Sequence, residues 1–515
     1  MNGKQRAYQW IKENKLFVLF CLFMAVYYAW HMFYLKPWYD ELYTYYSFIS
    51  RGPVYAAIHW PVPNNHVFYS VLSAFLDWMG NPYIGLRGIS FLASMANLCL
   101  LYVFAGKFMN RFLAAGCSFL YASVYLVNAL SIQGRGYTLA TTCYLTALLC
   151  LWEICCGRER TRDYVIFALA LTAGLYTLVS STFWVLPVCI AGGIVLLLKK
   201  EYKKLFKLVG YSLAAAVMTL FLYTLIWLAI GSNLLSKNPD GIYYGIYQVK
   251  IILQAPFEAL RTGMEYMLST PYVQSIPRDR AFFELFAYLT TLFDQYFQSM
   301  GAEITVFLGI GWIFSVLLSA YSFRRSKQNY FCGIYLAVTI FMLPLMLIVQ
   351  SVQPYKRVFS FFAVAFCILI SMIFEIFCKT CKEKVQRRLL YGGMVFLFVF
   401  SAIMLLSPFY NMQFAGREND IAEITKEEIK DISSICYMDD FQKYVFKFYY
   451  DKEPQELPLQ EAEYVLLPKE LLEESYTAPV WPILVGNDGV DFACLNERFE
   501  TVKESEAYIL FRKKK

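Results

Sequence analysis

The sequence is short of charge. Of 515 residues, only 17% are Asp, Glu, Lys or Arg, 58% are hydrophobic, and mean hydropathy is +0.44. A soluble domain of this length is excluded by that balance. No small-residue cleavage site follows the first apolar segment, so that segment is expected to stay as a helix rather than leave as a signal peptide. No Gly-rich phosphate loop is present, and nothing points to a nucleotide site. "CKTC" (Cys378 to Cys381) lacks the second pair that would complete a metal site, which leaves thiols at a helix end. No internal repeat or low-complexity tract stands out. The net charge of +7 implies no nucleic-acid partner, because the basic residues sit in short loops between apolar segments.

What the sequence has is apolar runs of bilayer length. About eleven are legible: 16–35, 88–106, 112–130, 138–155, 164–180, 182–198, 207–231, 303–322, 330–350, 357–377 and 391–407. The stretch 54–80 is also apolar but is interrupted by Pro61, Pro63, Asn64, Asn65, His66 and Asp77. It reads as interfacial helices inside one long loop. With that choice the loops alternate between two sides. One side holds 22 basic residues, among them Lys12, Lys107, Arg160, Lys203, Arg325 and Arg387. The short loops of the other side hold three, Arg135, Lys356 and Arg357. The positive-inside rule then puts the N-terminus in the cytoplasm and the segments 36–87, 232–302 and 408–515 outside. Counting 54–80 as a span would flip every later loop and destroy the asymmetry.

Composition shifts after residue 407. The last 108 residues hold 22 of the 39 acids and short strand-like stretches, "EYVLL", "WPILV" and "AYILF". The fold class expected is an all-α polytopic plasma-membrane protein of about eleven transmembrane helices, residues 1–407. A small extracytoplasmic α/β domain, 408–515, follows it. Cys436 and Cys494 could pair if that domain lies outside.

Acids are scarce before residue 408, which makes "WYDELYTYYSF" (Trp38 to Phe48) informative. Asp40 and Glu41 stand directly after the first span, where desolvating carboxylates is costly. The same outward face receives His66 in "PVPNNHVFY", Arg87 in "LRGIS", Arg135 and Tyr137 in "SIQGRGYTLA", and Lys356 and Arg357 in "QPYKRVFSFF". A carboxylate that takes a hydroxyl proton, with cations that neutralise a leaving phosphate, would use such residues. Arginine supplies the forked donor geometry that phosphate accepts. Gly134 and Gly136 flank Arg135, and removing side-chain bulk there would let a ligand approach. Plainer readings exist. Asp40–Glu41 could be a solvated helix start, and the arginines could snorkel to headgroups. Tyr39, Tyr43, Tyr45 and Tyr46 could form an interfacial belt or a sugar-stacking platform.

These stretches, in their order, resemble the GT-C glycosyltransferases that use polyprenyl-phosphate sugars. The branch is that of the protein O-mannosyltransferases and aminoarabinose transferases. "WYDELYT" matches the acidic pair after the first span. "NNHVFYSVL" matches a His-Pro-Pro segment that has lost both prolines. "LRGISFLASMANLCLLYVFAGK" and "GRGYTLA" match two later signatures, and "KRVF" echoes an outer Lys-Arg-Tyr. The resemblance covers residues 16–200 well and the later spans by pattern.

The resemblance implies transfer of one sugar from a polyprenyl phosphate to a hydroxyl acceptor on the outer face, with inversion. Asp40 would be the catalytic base and Glu41 its neighbour. Arg87, Arg135, Arg357 and Lys356 would serve the donor phosphate. Tyr137, Tyr43 and His66 are the candidate substrate contacts. A cofactor is not specified; a divalent metal stays open, with Glu41 and His66 as candidate ligands. Tyr266, Tyr272, Arg278 and Asp279 in "MEYMLSTPYVQSIPRDR" are acceptor-side or gating candidates. The alternative from another class is a polytopic transporter or lipid flippase, which should show inverted repeats or helices broken near mid-bilayer. Sugar and acceptor stay unnamed; wall polymers, lipid-linked glycans and proteins are all compatible.

Overall fold

A computed structural model of the chain describes residues 3–59, 65–231, 248–268, 274–381, 383–411, 416–426, 428–429, 431–452, 454, 457–472 and 492–514. The chain divides into two compact units, Met1–Met32 with Arg51–Met412, and Phe33–Ser50 with Gln413–Lys515.

The first unit is helical, as lipid requires: only a helix satisfies its own backbone donors and acceptors within one segment. Among the described residues, nine helices are long and apolar enough to cross a membrane, and ten if one bent pair counts as a single span. The expected number was about eleven. The segment predicted at 164–180 forms the helix Thr161–Thr177. At 17 residues it rises about 26 Å, the low end of what a hydrocarbon core of about 30 Å needs. The segment predicted at 112–130 is not straight. The helices Arg111–Ser123 and Tyr125–Ser131 meet at 75°. Val124 is extended at the break. The amides that the break frees, Tyr125 and Leu126, donate to the carbonyls of Tyr296 and Gln295 at 2.9 Å. The broken ladder is thus re-satisfied inside the protein, which makes the kink tolerable within an apolar segment.

The region 54–80 contains the short helices Pro53–Ile58 and Val67–Asp77. The second is 11 residues long, about 17 Å, too short to cross. Pro61, Pro63 and Asn64 lie outside the described residues. Large apolar side chains stay exposed along Tyr202–Gly231 (Leu213, Val217, Phe221) and Lys384–Asn411 (Val395, Phe396, Phe398). Surfaces of this kind are stable against acyl chains and not against water. Inside, polar contacts tie helices together: the Tyr27 hydroxyl donates to the Leu405 carbonyl at 3.1 Å, and the hydroxyls of Tyr144 and Tyr335 meet at 2.6 Å.

The helix Lys327–Gln350 ends at Ser351, which adopts the left-handed conformation at φ 52°. The chain then pairs Val352–Gln353 antiparallel with Gln274–Ser275. A short 3₁₀ turn, Lys356–Phe359, follows before the next long helix begins at Phe362. The predicted span at 357–377 therefore starts five residues late, and its two cations stand in a turn instead of a helix.

The second unit is α/β. Its four-stranded sheet runs Ile435–Tyr437, Tyr464–Pro468, Tyr508–Lys513, Phe499–Glu504 in spatial order. The first pair is parallel and the other two are antiparallel. "EYVLL" and "AYILF" are the two central strands; "WPILV" lies outside the described residues. Asp439 caps the helix Asp440–Tyr450, accepting from the Gln442 amide at 2.9 Å and from the Tyr508 hydroxyl at 3.0 Å. Leu42 joins Ile421, Ile435, Phe446, Leu466 and Leu510 in one apolar core. Phe33–Ser50 thus folds with the C-terminal segment, a pairing that no linear division of the chain contains. Cys436 and Cys494 are not joined in a disulfide.

Candidate active site

Four sequence candidates meet in the first unit around a backbone break. Between the helices Tyr125–Ser131 and Tyr137–Cys156 the chain runs through Gln133, Gly134, Arg135 and Gly136. Ser90 Oγ donates to the Gln133 carbonyl at 2.5 Å and fixes this turn to the helix Pro82–Ala105. Arg135 is buried, with 3% of its surface exposed. Its Nη2 lies 3.2 Å from His66 Nε2. The Tyr137 ring meets the His66 ring edge-on at 5.0 Å, and the Arg357 guanidinium stands 5.9 Å from the Tyr137 centroid. Lys356 and Arg357 also line a cleft of about 650 Å³ with Tyr288, Thr291, Gln295 and Gln353. The helix Ala281–Phe293 contributes to that cleft and to an apolar one of about 210 Å³, lined by Leu289, Phe293, Trp312 and Phe341 among others.

The protonation of His66 follows from its neighbours. The Gly136 amide donates to Nδ1 at 2.8 Å. A neutral ring must then carry its proton on Nε2. Burial, and then the charges of Arg135 and Arg357, hold the imidazolium well below its usual range, so the ring is neutral at pH 7. Nε2–H and the Arg135 guanidinium are both donors, and they face one another. An anionic oxygen accepting from both would relieve that opposition. A metal would not, because it needs a lone pair, and the only lone pair of the ring faces the Gly136 amide. His66 is therefore not arranged as a metal ligand. Among the described residues, no group of three or more His, Cys, Asp or Glu side chains is placed to hold a metal ion.

The glycines around Arg135 serve a different purpose from the one expected. A Cβ on Gly134 would lie 2.6 Å from Leu86 Cδ1. One on Gly136 would lie 2.7 Å from Thr177 Cγ2 and 2.9 Å from His66 Cβ. The space they free is filled by the protein itself, which seats His66 against the turn.

Arg87 is fully buried and donates from Nη1 to the Met32 carbonyl at 3.0 Å. Its guanidinium stands 6.0 Å from the Tyr83 ring centroid. Arg278 and Asp279 are exposed in the turn before the helix Ala281–Phe293. Tyr272 lies outside the described residues, as does the side chain of Tyr266.

The acidic pair belongs to the second unit. It opens the helix Tyr39–Ser47, whose N-cap is Trp38. Glu41 is fully buried and accepts from the Trp38 amide at 3.2 Å. This is half of a capping box, because an indole offers no acceptor for the reciprocal bond. Asp40 is half-buried. Tyr43 stands 6.2 Å from Tyr39 and 5.8 Å from Tyr444, and Tyr46 stacks on Tyr444 at 6.1 Å. Tyr39, Tyr43 and Tyr46 pack onto the helix Asp440–Tyr450.

One residue escaped the sequence reading. Glu418, in the first turn of the helix Gly416–Lys426, accepts from the Tyr39 amide at 2.5 Å and is 4% exposed. Burial, with smaller contributions from the charges of Glu41 and Asp40, pushes its carboxyl up to about 7. Nothing in the sequence marks it out from the other acids of the C-terminal segment.

No family model matches the sequence, and no curated protein matches it. Among solved structures, the chain is similar to ArnT from Cupriavidus metallidurans bound to undecaprenyl phosphate. Identity is 11%, the match covers 97% of this chain and 98% of that one, and the TM-score is 0.55. It is also similar to the archaeal oligosaccharyltransferase AglB from Archaeoglobus fulgidus, solved with an inhibitory peptide and a dolichol-phosphate. There identity is 12%, coverage 90% of this chain and 70% of that one, and the TM-score 0.46, a likeness too loose to build on. The likeness to ArnT bears out the expected fold: this chain is a polytopic membrane protein with the GT-C fold.

Proposed function

We propose that the protein is a membrane glycosyltransferase that moves one sugar from a polyprenyl-phosphate donor to a hydroxyl acceptor on the outer face. The observation that carries this reading is the Arg135–His66–Arg357 cluster. Two guanidiniums and a neutral imidazole N–H converge there, and Lys356 lines the adjoining cleft. That set suits a phosphate, and the ArnT structure of the same fold holds undecaprenyl phosphate. The apolar cleft beside the helix Ala281–Phe293 suits a prenyl chain.

In the reaction, Asp40 takes the proton of the acceptor hydroxyl as its oxygen attacks the anomeric carbon. The bond from that carbon to the phosphate oxygen breaks, its electron pair leaves with the lipid phosphate, and the anomeric configuration inverts. Charge grows on the phosphate as the bond breaks, so the cations bind the transition state more tightly than the ground state. Arg87, fixed to the end of the first span, supports the scaffold in this scheme. No step is assigned to a metal, because His66 does not present a ligand to one. The N-terminus is placed in the cytoplasm on the basic-residue asymmetry.

The test is direct. Purified protein in nanodiscs, given a panel of undecaprenyl-phosphate monosaccharides and membrane extract as acceptor, should release undecaprenyl phosphate from at least one. Envelope glycans from cells with and without the protein should differ by one sugar in mass spectra. No release from any donor, together with identical glycans, would refute the reading.

A further inference from the structure

We infer that Glu418 is a positioning residue for the acidic pair: it anchors the start of the Tyr39–Ser47 helix and sets the charge beside Asp40. The inference rests on the glycosyltransferase reading for what Asp40 does.

The geometry is specific to one atom. Helices leave their first amides without partners inside the helix. Here the amide of Trp38 goes to Glu41, and the amide of Tyr39 goes to Glu418, which is 379 residues away in sequence. Glu418 thus holds the residue immediately before Asp40. Its own helix is held in turn. Arg417 pairs with Glu470 and stands 5.4 Å from the Phe441 ring centroid, and the Tyr39 ring lies 4.6 Å from that of Phe441, tilted by 52°. Lys36, just upstream, pairs with Glu423 of the same helix at 3.8 Å. The C-terminal segment therefore grips both flanks of "WYDE".

The charge follows from what faces the carboxyl. Asp40 and Glu41 approach from the Tyr39–Ser47 helix, and Arg417 neighbours it on its own helix. Tyr508, from the strand Tyr508–Lys513, gives its hydroxyl to Asp439. Buried with little water beside two other carboxyls, Glu418 is costly to ionise. Glu418 is the one whose proton is retained toward neutral pH, up to about 7. Protonated, it adds no charge beside Asp40. Ionised, it places a negative charge beside them. Turnover should then depend on pH near neutrality through a residue that never touches the sugar.

Two substitutions separate holding from titrating. Glu418→Gln keeps an oxygen for the Tyr39 amide and cannot ionise. Glu418→Ala removes both. Infrared titration of the full-length protein in nanodiscs should show a protonated-carboxyl band that disappears near pH 7 and is missing in Glu418→Gln. With the donor turned over in the panel assay, Glu418→Gln should keep kcat within about threefold at low pH but lose the inflection near pH 7. Glu418→Ala should lower kcat about tenfold, the loss of one buried hydrogen bond, with the donor KM unchanged. A wild-type band unaltered in Glu418→Gln, or superimposable pH profiles for the two, overturns the inference. If Glu418→Ala does not fold, Glu418→Gln alone decides. Full activity in Asp40→Asn would instead remove the catalytic reading, and the infrared titration, which needs no substrate, would still decide whether Glu418 holds the proton.

Discussion

Arg135→Ala isolates the phosphate contact on which the proposed reaction turns. Arg135 is buried, its guanidinium faces His66 Nε2–H, and its turn is fixed to the helix Pro82–Ala105 through Ser90. Removing the side chain should leave the backbone in place, because the turn is held by main-chain and Ser90 contacts. One hydrogen bond to a charged group contributes about 1.5–3 kcal/mol. At about 1.4 kcal/mol per tenfold, that predicts a tenfold to hundredfold weaker hold on undecaprenyl phosphate. The loss in kcat/KM should be larger than the loss in ground-state binding, since the phosphate gains charge on leaving. Arg135→Lys should restore part of it, a point charge replacing a fork. His66 gives a second check. Without the neighbouring guanidinium its proton affinity should rise, so the imidazole should titrate at higher pH in Arg135→Ala. Nanodisc-embedded protein, undecaprenyl phosphate displacement and steady-state kinetics supply the numbers. An unchanged affinity for undecaprenyl phosphate with an unchanged kcat would refute the assignment. Arg135 would then be a structural or headgroup-facing residue.

Four other outcomes follow. Asp40→Asn should lower kcat by about 10²–10⁴ with membrane insertion intact, and Glu41→Gln should cost less in rate; turnover of Asp40→Asn within twofold of wild type excludes Asp40 as base. Gly136→Ala should destabilise the first unit by about 1–3 kcal/mol in thermal denaturation, since its Cβ would sit 2.7 Å from Thr177 Cγ2 and 2.9 Å from His66 Cβ; an unchanged midpoint would mean that the turn is looser than described. Glu418 is raised from 4.5 to about 7, so its contribution is fully present below pH 4.5 and lost as pH rises through 7. A shift of that size corresponds to about 3 kcal/mol, and Glu418→Gln should accordingly stabilise the protein at pH 8 and hardly at pH 4.5, as read by chemical denaturation at both. Glu506→Cys, an exposed position before the last strand, should gain labelling by a membrane-impermeant maleimide in intact cells; a gain only after permeabilisation would invert the topology.

Much of the fold was legible because lipid imposes a rule that operates locally. A run of apolar residues must be a helix, whatever surrounds it, and each of the eleven predicted segments is helical. What local hydropathy does not carry is the path of a helix within its span. The kink at Val124 depends on carbonyls at Tyr296 and Gln295, about 170 residues downstream, that accept the freed amides. The late start of the last-but-one span depends on a left-handed Ser351 and a strand pairing with Gln274–Ser275. Neither has a hydropathy signature. The two central strands of the second unit were visible because their apolar residues are bounded by charged ones. Ile435–Tyr437 was not, since three buried residues are too few to show a period.

The candidate site divides along the same line. Arg135, Tyr137, Arg357 and His66 could be listed from sequence as polar exceptions in an apolar chain, and the structure brings them together. Their relations could not be listed. The tautomer of His66 is set by a backbone amide, which exists at every position and therefore leaves no mark in a sequence. The glycines at 134 and 136 were visible, but their purpose was not: a small residue admits either a ligand or a neighbour, and only coordinates tell which. Glu418 is the limiting case. It is one of 22 acids in the last 108 residues, and its pairing with Tyr39 spans almost the whole chain. An acidic pair after a first span looks, in sequence, like a self-contained motif. In the folded unit it is completed by Glu418, so the C-terminal segment cannot be treated as an appendage to the membrane helices. Deleting that segment removes the partner of the Tyr39 amide and most of the core around Leu42, and the acidic pair loses its support even though every residue of "WYDELYT" remains.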